Sequence, residues 1–232
     1  TPLEKNVKIT DISSIPVDAG WRSWLFVKVE TNEGVTGWGE CSDDKTPTGV
    51  QGVIDDLKPI LVGQDPRAYE MRFWDMARRT RQSPGGIAAK AMAGIELALV
   101  DIKARSLGIS VAELFGGPTR ERIRLYWSHC GTNRIRAHEL IGTPPIRSME
   151  DVASLGREVV EKGYTALKTN ILIPGDPGSV YFPGFGSGPG TTDQIVTNDL
   201  LNHIERLIAT LREAVGPTVD LNLDLNFNFK TE

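Results

Sequence analysis

The amino-acid sequence predicts an α+β domain followed by a parallel sheet with crossover helices. The first part of the chain has the pattern of three antiparallel strands followed by helices, whereas the second part alternates between strand and helix patterns. The last predicted strand, within 219–229, also carries a polar face made of aspartate and asparagine. Such a face at the end of a parallel strand indicates a functional site in the second part.

The N-terminal meander is predicted from segments rich in valine and isoleucine and from a turn signal. Asn32-Glu33-Gly34 separates the second strand from the third. Helices follow, and the strongest is 86–107, where apolar residues recur at three- and four-residue steps on an alanine-rich face. Leu107-Gly108 supplies the helix stop. The predicted strands are 7–16, 24–30 and 35–40, and the predicted helices are 48–61, 66–80, 86–107 and 111–115.

Beyond Pro118 the pattern changes to alternating strands and helices. The segment 174–192 interrupts it, since it is rich in glycine and proline and is predicted to lack regular structure. We expect an active-site lid there, in which Tyr181, Phe182 and Phe185 close over a substrate; the alternative is an excursion without a role in function. The predicted strands are 122–128, 165–173 and 219–229, and the predicted helices are 148–162 and 198–215.

The strand 219–229 is the most informative segment. Residues two apart share a face of a strand, so one face carries oxygen-bearing side chains and the other is apolar. Carboxylate and amide oxygens are the ligands that Mg²⁺ prefers. From the residues alone, an amphipathic strand with a solvated outer face remains the alternative to a metal site. The polar set is Asp220, Asn222, Asp224, Asn226 and Asn228.

Composition excludes several classes of protein. The net charge of −4 provides no basic surface for nucleic acid, and no apolar run approaches the roughly 20 residues that span a bilayer. The start of the sequence lacks the pattern of a signal peptide. Cys41 and Cys130 have no metal-type spacing, so we expect structural thiols in a reducing, cytoplasmic compartment.

Four segments, in the same order along the chain, resemble the mandelate racemase/muconate lactonizing enzyme branch of the enolase superfamily. Residues 37–41 (GWGEC) resemble the end of the family's N-terminal meander, and 88–117 resemble the helix and double glycine that lead into its barrel. Lys168-Thr169-Asn170 falls where the family commonly has Lys-x-Lys on the second barrel strand. Asp224-Leu225-Asn226 falls where the family has Asp-x-Asn on the third.

The resemblance implies an α+β capping domain at 1–117 and the first part of a TIM-type barrel at 118–232. Known members bind Mg²⁺ through acidic residues on three successive strands and abstract the proton α to a carboxylate, with metal stabilisation of the enediolate. Asp224 is the expected Mg²⁺ ligand, and Asn226 is expected to contact substrate. Trp21 and Arg22 lie near a loop that in the family helps to set substrate choice. Members act on small-molecule carboxylates and are commonly homo-oligomers.

The sequence departs from the family at the second lysine of Lys-x-Lys. Asn170 replaces the residue that usually acts as base, and an amide cannot take a proton. Asn170 is still expected among the catalytic residues, with a structural hydrogen bond as the alternative. Lys168 is therefore expected to orient the substrate carboxylate, or to act as base if its pKa falls through burial or nearby cations. The alternative is a structural salt bridge inside the barrel, with Asp224 as the candidate partner. An active site that lacks a base on one face of the stereocentre resembles acid-sugar dehydratases more than racemases, epimerases or cycloisomerases. A sugar acid is therefore the expected substrate.

Only three barrel strands are predicted before Glu232. Eight β/α units take about 200 residues or more, and about 115 follow Gly117. We therefore expect an incomplete barrel, truncated after strand 3, from the N-terminal part of a longer chain, with the other metal ligands and the base outside it. The 232-residue chain alone would then be inactive. The alternative is a catalytically incomplete scaffold or binding module.

Overall fold

The computed structural model describes residues 6–182, 195–226 and 229. The chain divides into two compact units, Thr1–Glu121 and Arg122–Glu232. The expected domain boundary after residue 117 stays a prediction. No helix in the described ranges is both long enough and apolar enough to cross a bilayer.

The first unit opens with a three-stranded antiparallel sheet in the order β1-β2-β3. Its strands are β1 (Ile9–Asp18), β2 (Ser23–Thr31) and β3 (Thr36–Glu40). In the register, Asp18 of β1 lies opposite Ser23 of β2, and Phe26 of β2 lies opposite Glu40 of β3. Alternate residues of β2 are buried in the hydrophobic core, as expected for a sheet covered on one face.

Four helices follow this sheet: α1 (Pro47–Leu61), α2 (Tyr69–Arg79), α3 (Gly86–Leu107) and the short α4 (Val111–Leu114). Of these, α1 and α3 pack on the buried face of the sheet, whereas α2 and α4 pack on α3. The longest, α3, ends at Gly108, whose left-handed φ of 71° matches the predicted stop. Fully buried side chains of α1 and α3, among them Ile54, Leu57, Ile95 and Leu99, form the core with β2.

The second unit packs two helices beside a pair of parallel strands. Strand β4 pairs in parallel with β7, and Trp127 forms a single parallel bridge to Leu167 on the other edge of β4. Apolar side chains of α6 and α7 form the core with β4. The elements are α5 (Thr132–Arg136), α6 (Met149–Glu161), β4 (Ala166–Thr169), β5 (Ile171–Ile173), β6 (Ser179–Tyr181), α7 (Asn198–Val215) and β7 (Asp220–Leu223).

Two strands in this unit differ in length from their predictions. The strand expected at 122–128 is reduced to the bridge at Trp127, and the one expected at 165–173 divides into β4 and β5. Strand β5 leaves the parallel sheet and pairs with β6 in an antiparallel hairpin. The prediction that 174–192 lacks regular structure is therefore wrong at Ser179–Tyr181, where valine and tyrosine favour a strand.

The strand predicted at 219–229 is also shorter than expected. It ends at Leu223, and Asn226 has a left-handed φ of 56°. The cause is local, because the Asp224 carboxylate accepts a hydrogen bond from the backbone N–H of Asn226 and so competes with the strand ladder. The unit shows short two-stranded sheets, and the incomplete barrel stays a prediction.

Candidate active site

A lysine and an aspartate meet where two parallel strands end. Strands β4 and β7 run side by side, and Lys168 lies opposite Asn222 in their register. Asp224 comes directly after β7, and its backbone N–H donates a 2.8 Å hydrogen bond to the carbonyl of Thr169. The Lys168 ammonium nitrogen lies 3.2 Å from Asp224 Oδ2. Both side chains are partly exposed, so this ion pair borders solvent within its unit.

The surroundings of Asp224 favour its ionised form. Desolvation, the largest single influence, would raise the pKa of this carboxyl. The opposing influences are the backbone hydrogen bond from Asn226, the hydrogen bond and charge of Lys168, and the charge of His129, and together they lower the pKa. Asp224 is therefore an anion at neutral pH, as a carboxylate metal ligand must be.

Asn170 is buried beneath this ion pair. It is 1% exposed, and its side-chain oxygen accepts a 2.9 Å hydrogen bond from the Thr132 hydroxyl. Its side-chain nitrogen donates a longer bond, 3.4 Å, to the backbone carbonyl of Asp224. The structure thus brings Lys168, Asn170 and Asp224 together. Their catalytic and metal-binding roles stay predictions.

Asn226 lies beside Asp224 through a turn. Its backbone N–H is 3.0 Å from Asp224 Oδ1, and its side-chain nitrogen is buried without a hydrogen-bond partner in the part of the chain that the structure describes. A buried unpaired amide is unfavourable by about 1–3 kcal/mol unless a ligand or water satisfies it. This orphaned donor is consistent with the predicted substrate contact.

His129 and Thr132 belong to the same neighbourhood. His129 follows the bridge residue Trp127, has a left-handed φ of 52°, and places its Nδ1 3.0 Å from the Ser128 hydroxyl. The sequence predicts a structural role for His129, with a place at the barrel mouth as the alternative, and gives no direct sign of Thr132. An indirect signal for Thr132 exists, since it closely follows a predicted strand, but the contact with Asn170 spans 38 residues.

Trp21 and Arg22 lie in the first unit, in the turn between β1 and β2. The backbone N–H of Ala19 donates to the Arg22 carbonyl and closes this turn. The Arg22 guanidinium carbon lies 5.4 Å from the Trp21 ring centroid and 5.0 Å from that of Trp24, so two indoles hold the cation. The role of Trp21 and Arg22 in substrate choice stays a prediction.

The aromatic residues of the expected lid also have contacts. Tyr181 stacks on Phe229 with 6.4 Å between ring centroids, and the guanidinium carbon of Arg136 lies 4.1 Å from the Phe182 ring centroid. Phe185 lies outside the described residues. The lid itself stays a prediction.

The earlier polar residues of β7 form a separate network. Asp220 pairs with Arg124 at 2.7 Å, and the Asn222 side chain donates to the Leu167 carbonyl at 3.2 Å. Both line an open cavity of about 490 Å³ together with Tyr126 and Arg212. Asp220 therefore has a counter-charge, and the Asn222 side-chain nitrogen has an acceptor, within the unit.

The residues present fit one part of a Mg²⁺ site. Each oxygen of the Asp224 carboxylate accepts one hydrogen bond, from Asn226 and Lys168 respectively, and keeps a lone pair for a cation. Mg²⁺ takes six oxygen ligands, several of them water. Residues 6–182, 195–226 and 229 contain no group of three or more histidine, cysteine, aspartate or glutamate residues suited to a metal ion. Asp224 can therefore contribute one ligand, and others must come from elsewhere.

Sequence comparison supports this family assignment. Residues 14–116 match the N-terminal domain of the mandelate racemase/muconate lactonizing enzyme family. A D-galactonate dehydratase of Verminephrobacter eiseniae is 28% identical over 221 residues, which cover 95% of this chain and 48% of the relative. A D-galactonate dehydratase of Ralstonia pickettii is 43% identical over 103 residues, or 44% of this chain and 27% of the relative. The chain thus spans about half the length of the first relative.

Structural comparison gives the same result across both units. A solved structure from Burkholderia xenovorans strain LB400, provisionally named an L-alanine-DL-glutamate epimerase and bound to magnesium and fumarate, superposes with a TM-score of 0.87. It is 36% identical, and the match covers 96% of this chain and 55% of that one. The family pattern, the matched sequences and this fold agree, and the chain belongs to the enolase superfamily, with its N-terminal domain of the mandelate racemase/muconate lactonizing enzyme type.

Proposed function

We propose that the whole protein is a Mg²⁺-dependent enzyme that abstracts the proton α to a carboxylate, and that it is an acid-sugar dehydratase. The observation that carries the proposal is the Lys168–Asp224 pair at the ends of β4 and β7. The D-galactonate dehydratases among its relatives support a sugar acid as substrate.

The chemistry explains why both charges are needed. An α-proton next to a carboxylate is very weakly acidic, and a bound Mg²⁺ would stabilise the negative charge that develops when the proton leaves. Asp224 would hold the metal, and the Lys168 ammonium would bind and orient the substrate carboxylate. Asn226 would donate its unpaired side-chain N–H to the substrate. Since Asn170 has no titratable group, position 170 does not provide the base.

Isotope exchange tests this activity directly. The whole protein is incubated with MgCl₂ in D₂O and a panel of sugar acids that includes D-galactonate, and products are followed by NMR. We expect loss of water, giving a 2-keto-3-deoxy acid, and inhibition by EDTA. If no sugar acid in the panel gives either deuterium at the α-carbon or a keto acid, the proposal is refuted.

Substitutions of Lys168 separate its two proposed roles. Arginine keeps the positive charge but does not act as a base at neutral pH, whereas methionine removes the charge. If Lys168 orients the substrate, Lys168→Arg should retain more activity than Lys168→Met. Equal and complete loss in both variants would instead contradict the orienting role and keep Lys168 as a candidate base.

An epimerase is the second candidate. The structural neighbour with a provisional epimerase name favours it, because it covers both units at 36% identity. An epimerase would incorporate deuterium and invert the stereocentre without losing water, so the same experiment distinguishes the two reactions. The comparisons offer no support for a scaffold or binding module.

A further inference from the structure

We propose that Thr132 and Asn170 are positioning residues that hold the Asp224 carboxylate in place for its metal. This inference rests on the proposed function, since it takes Asp224 as a Mg²⁺ ligand. It assigns position 170 a different task from the one that a lysine has there in the family. The amide acts through Asp224 and does not touch the substrate.

Burial and pairing of the Asn170 side chain are the first argument. The residue is 1% exposed, and each end of its amide has a partner, Thr132 on the oxygen and the Asp224 carbonyl on the nitrogen. A side chain buried to this extent, with a partner at each end, is not accessible to a ligand within its unit. Its contacts instead join the segment after Trp127 to the segment after β7.

The direction of these hydrogen bonds makes Thr132 essential to the arrangement. A backbone carbonyl can only accept, so Asn170 must turn its nitrogen toward Asp224 and its oxygen toward Thr132. The Thr132 hydroxyl must then donate, as observed at 2.9 Å. Without this donor, the amide oxygen loses its partner, only the long bond to Asp224 still holds the side chain, and we expect that bond to weaken.

The backbone around Asp224 depends on this support. Asp224 lies beyond the last residue of β7, where a single backbone bond to Thr169 anchors it. Thr169 is itself held by a 2.8 Å bond from its hydroxyl to the Cys130 carbonyl. The Asn170 bond adds a second attachment on the carbonyl side of Asp224. Partners of this kind tune metal affinity by fixing the ligand's orientation.

Calorimetric titration of the whole protein with MgCl₂ tests the inference. Thr132→Val removes the hydroxyl at nearly constant volume, and Thr132→Ser retains it. We expect Thr132→Val to weaken Mg²⁺ binding by roughly 10–100-fold, the usual effect of losing an outer partner of a metal ligand. Thr132→Ser should bind within a few-fold of the wild type.

A matched control separates positioning from general destabilisation. Thr31 is also buried, and its hydroxyl donates to the Val35 carbonyl at 2.8 Å in the first unit. Thr31→Val should lower the melting temperature as Thr132→Val does, yet leave the Mg²⁺ dissociation constant unchanged. If Thr132→Val does not fold, Asn170→Ala tests the same support from the other side, with the same expected weakening.

The outcomes distinguish this inference from the proposed function. Absence of Mg²⁺ binding in the wild type would refute the proposed function and the inference together. Wild-type binding combined with unchanged binding in Thr132→Val, or in Asn170→Ala, would overturn the inference alone. Equal weakening in Thr132→Val and Thr31→Val would also overturn it, because the effect would then be one of stability.

Discussion

Strand β3 lies directly on helix α3 because two glycines remove the side chains between them. A Cβ atom built on Gly39 would lie 2.0 Å from the carbonyl oxygen of Gly94, and one on Gly37 would lie 2.0 Å from that of Ala98. Gly37 and Gly39 share one face of the strand, and Gly94 and Ala98 are one helical turn apart. We therefore predict that Gly39→Ala strongly destabilises the first unit.

The magnitude follows from the distance. The added methyl group would be more than about 1 Å inside van der Waals contact with a backbone atom. A flexible side chain could rotate away, but this oxygen belongs to the rigid α3 backbone, so strand and helix must separate. Overpacking in a core costs about 1–3 kcal/mol, and occasionally more. Because separation would also open the contact at Gly37, we expect a loss of about 3 kcal/mol or more in the free energy of unfolding.

Denaturant unfolding followed by tryptophan fluorescence provides the assay. Four of the five tryptophans lie in the first unit, so the signal reports mainly on it. Gly52→Ala is the matched control, because Gly52 lies inside α1 and a Cβ there meets nothing within 4 Å. Alanine is favoured over glycine in a helix by about 1 kcal/mol, so this variant should be more stable than the wild type. A Gly39→Ala loss below about 1 kcal/mol would refute the packing argument.

Three further predictions concern the second unit. Lys168→Met should raise the pKa of Asp224. A lowered native pKa stabilises the fold fully only above the unfolded-state pKa, so the gap in unfolding free energy between the variant and the wild type should narrow as the pH falls below about 4. A gap that stays constant with pH would contradict this. Ser148→Ala removes the capping box with Asp151 at the start of α6 and should cost about 1 kcal/mol in thermal or chemical unfolding, whereas no loss would argue against the cap. Burial raises the pKa of the Cys130 thiol to about 12, so iodoacetamide at pH 8 should label Cys130 only after unfolding, and rapid labelling of the native protein would count against its burial.

The first unit was predictable from sequence because its elements follow local rules. Helix 86–107 was expected from apolar spacing and a terminal glycine, and the structure has it at Gly86–Leu107. The alanine-rich face of α3 permits the close approach of a neighbouring element, but the alanine pattern could not identify β3 as that neighbour. Strand ends shifted by at most two residues, since pairing partners, which the sequence does not state, decide where a ladder stops.

Prediction was less accurate where the second unit departs from regular strands. Periodicity treats 165–173 as one strand, but Asn170 lies buried between β4 and β5 and bonds to Thr132 and Asp224. These contacts join residues 38 and 54 positions apart, so no local pattern could reveal them. The meeting of Lys168 and Asp224 was predictable, because the ends of neighbouring parallel strands lie together.

The proximity of Asp224 and Asn226 has a different physical cause from the one that the sequence suggested. Strand alternation would place both side chains on one face of the strand predicted at 219–229, but the strand ends at Leu223 and Asn226 is left-handed. A turn joins them instead, in which the Asp224 carboxylate accepts the Asn226 backbone N–H. The position of a carboxylate in a turn depends on a few individual hydrogen bonds and not on the repeated hydrogen bonds of a sheet. Its position should therefore respond to single substitutions such as Thr132→Val, which a ladder would resist.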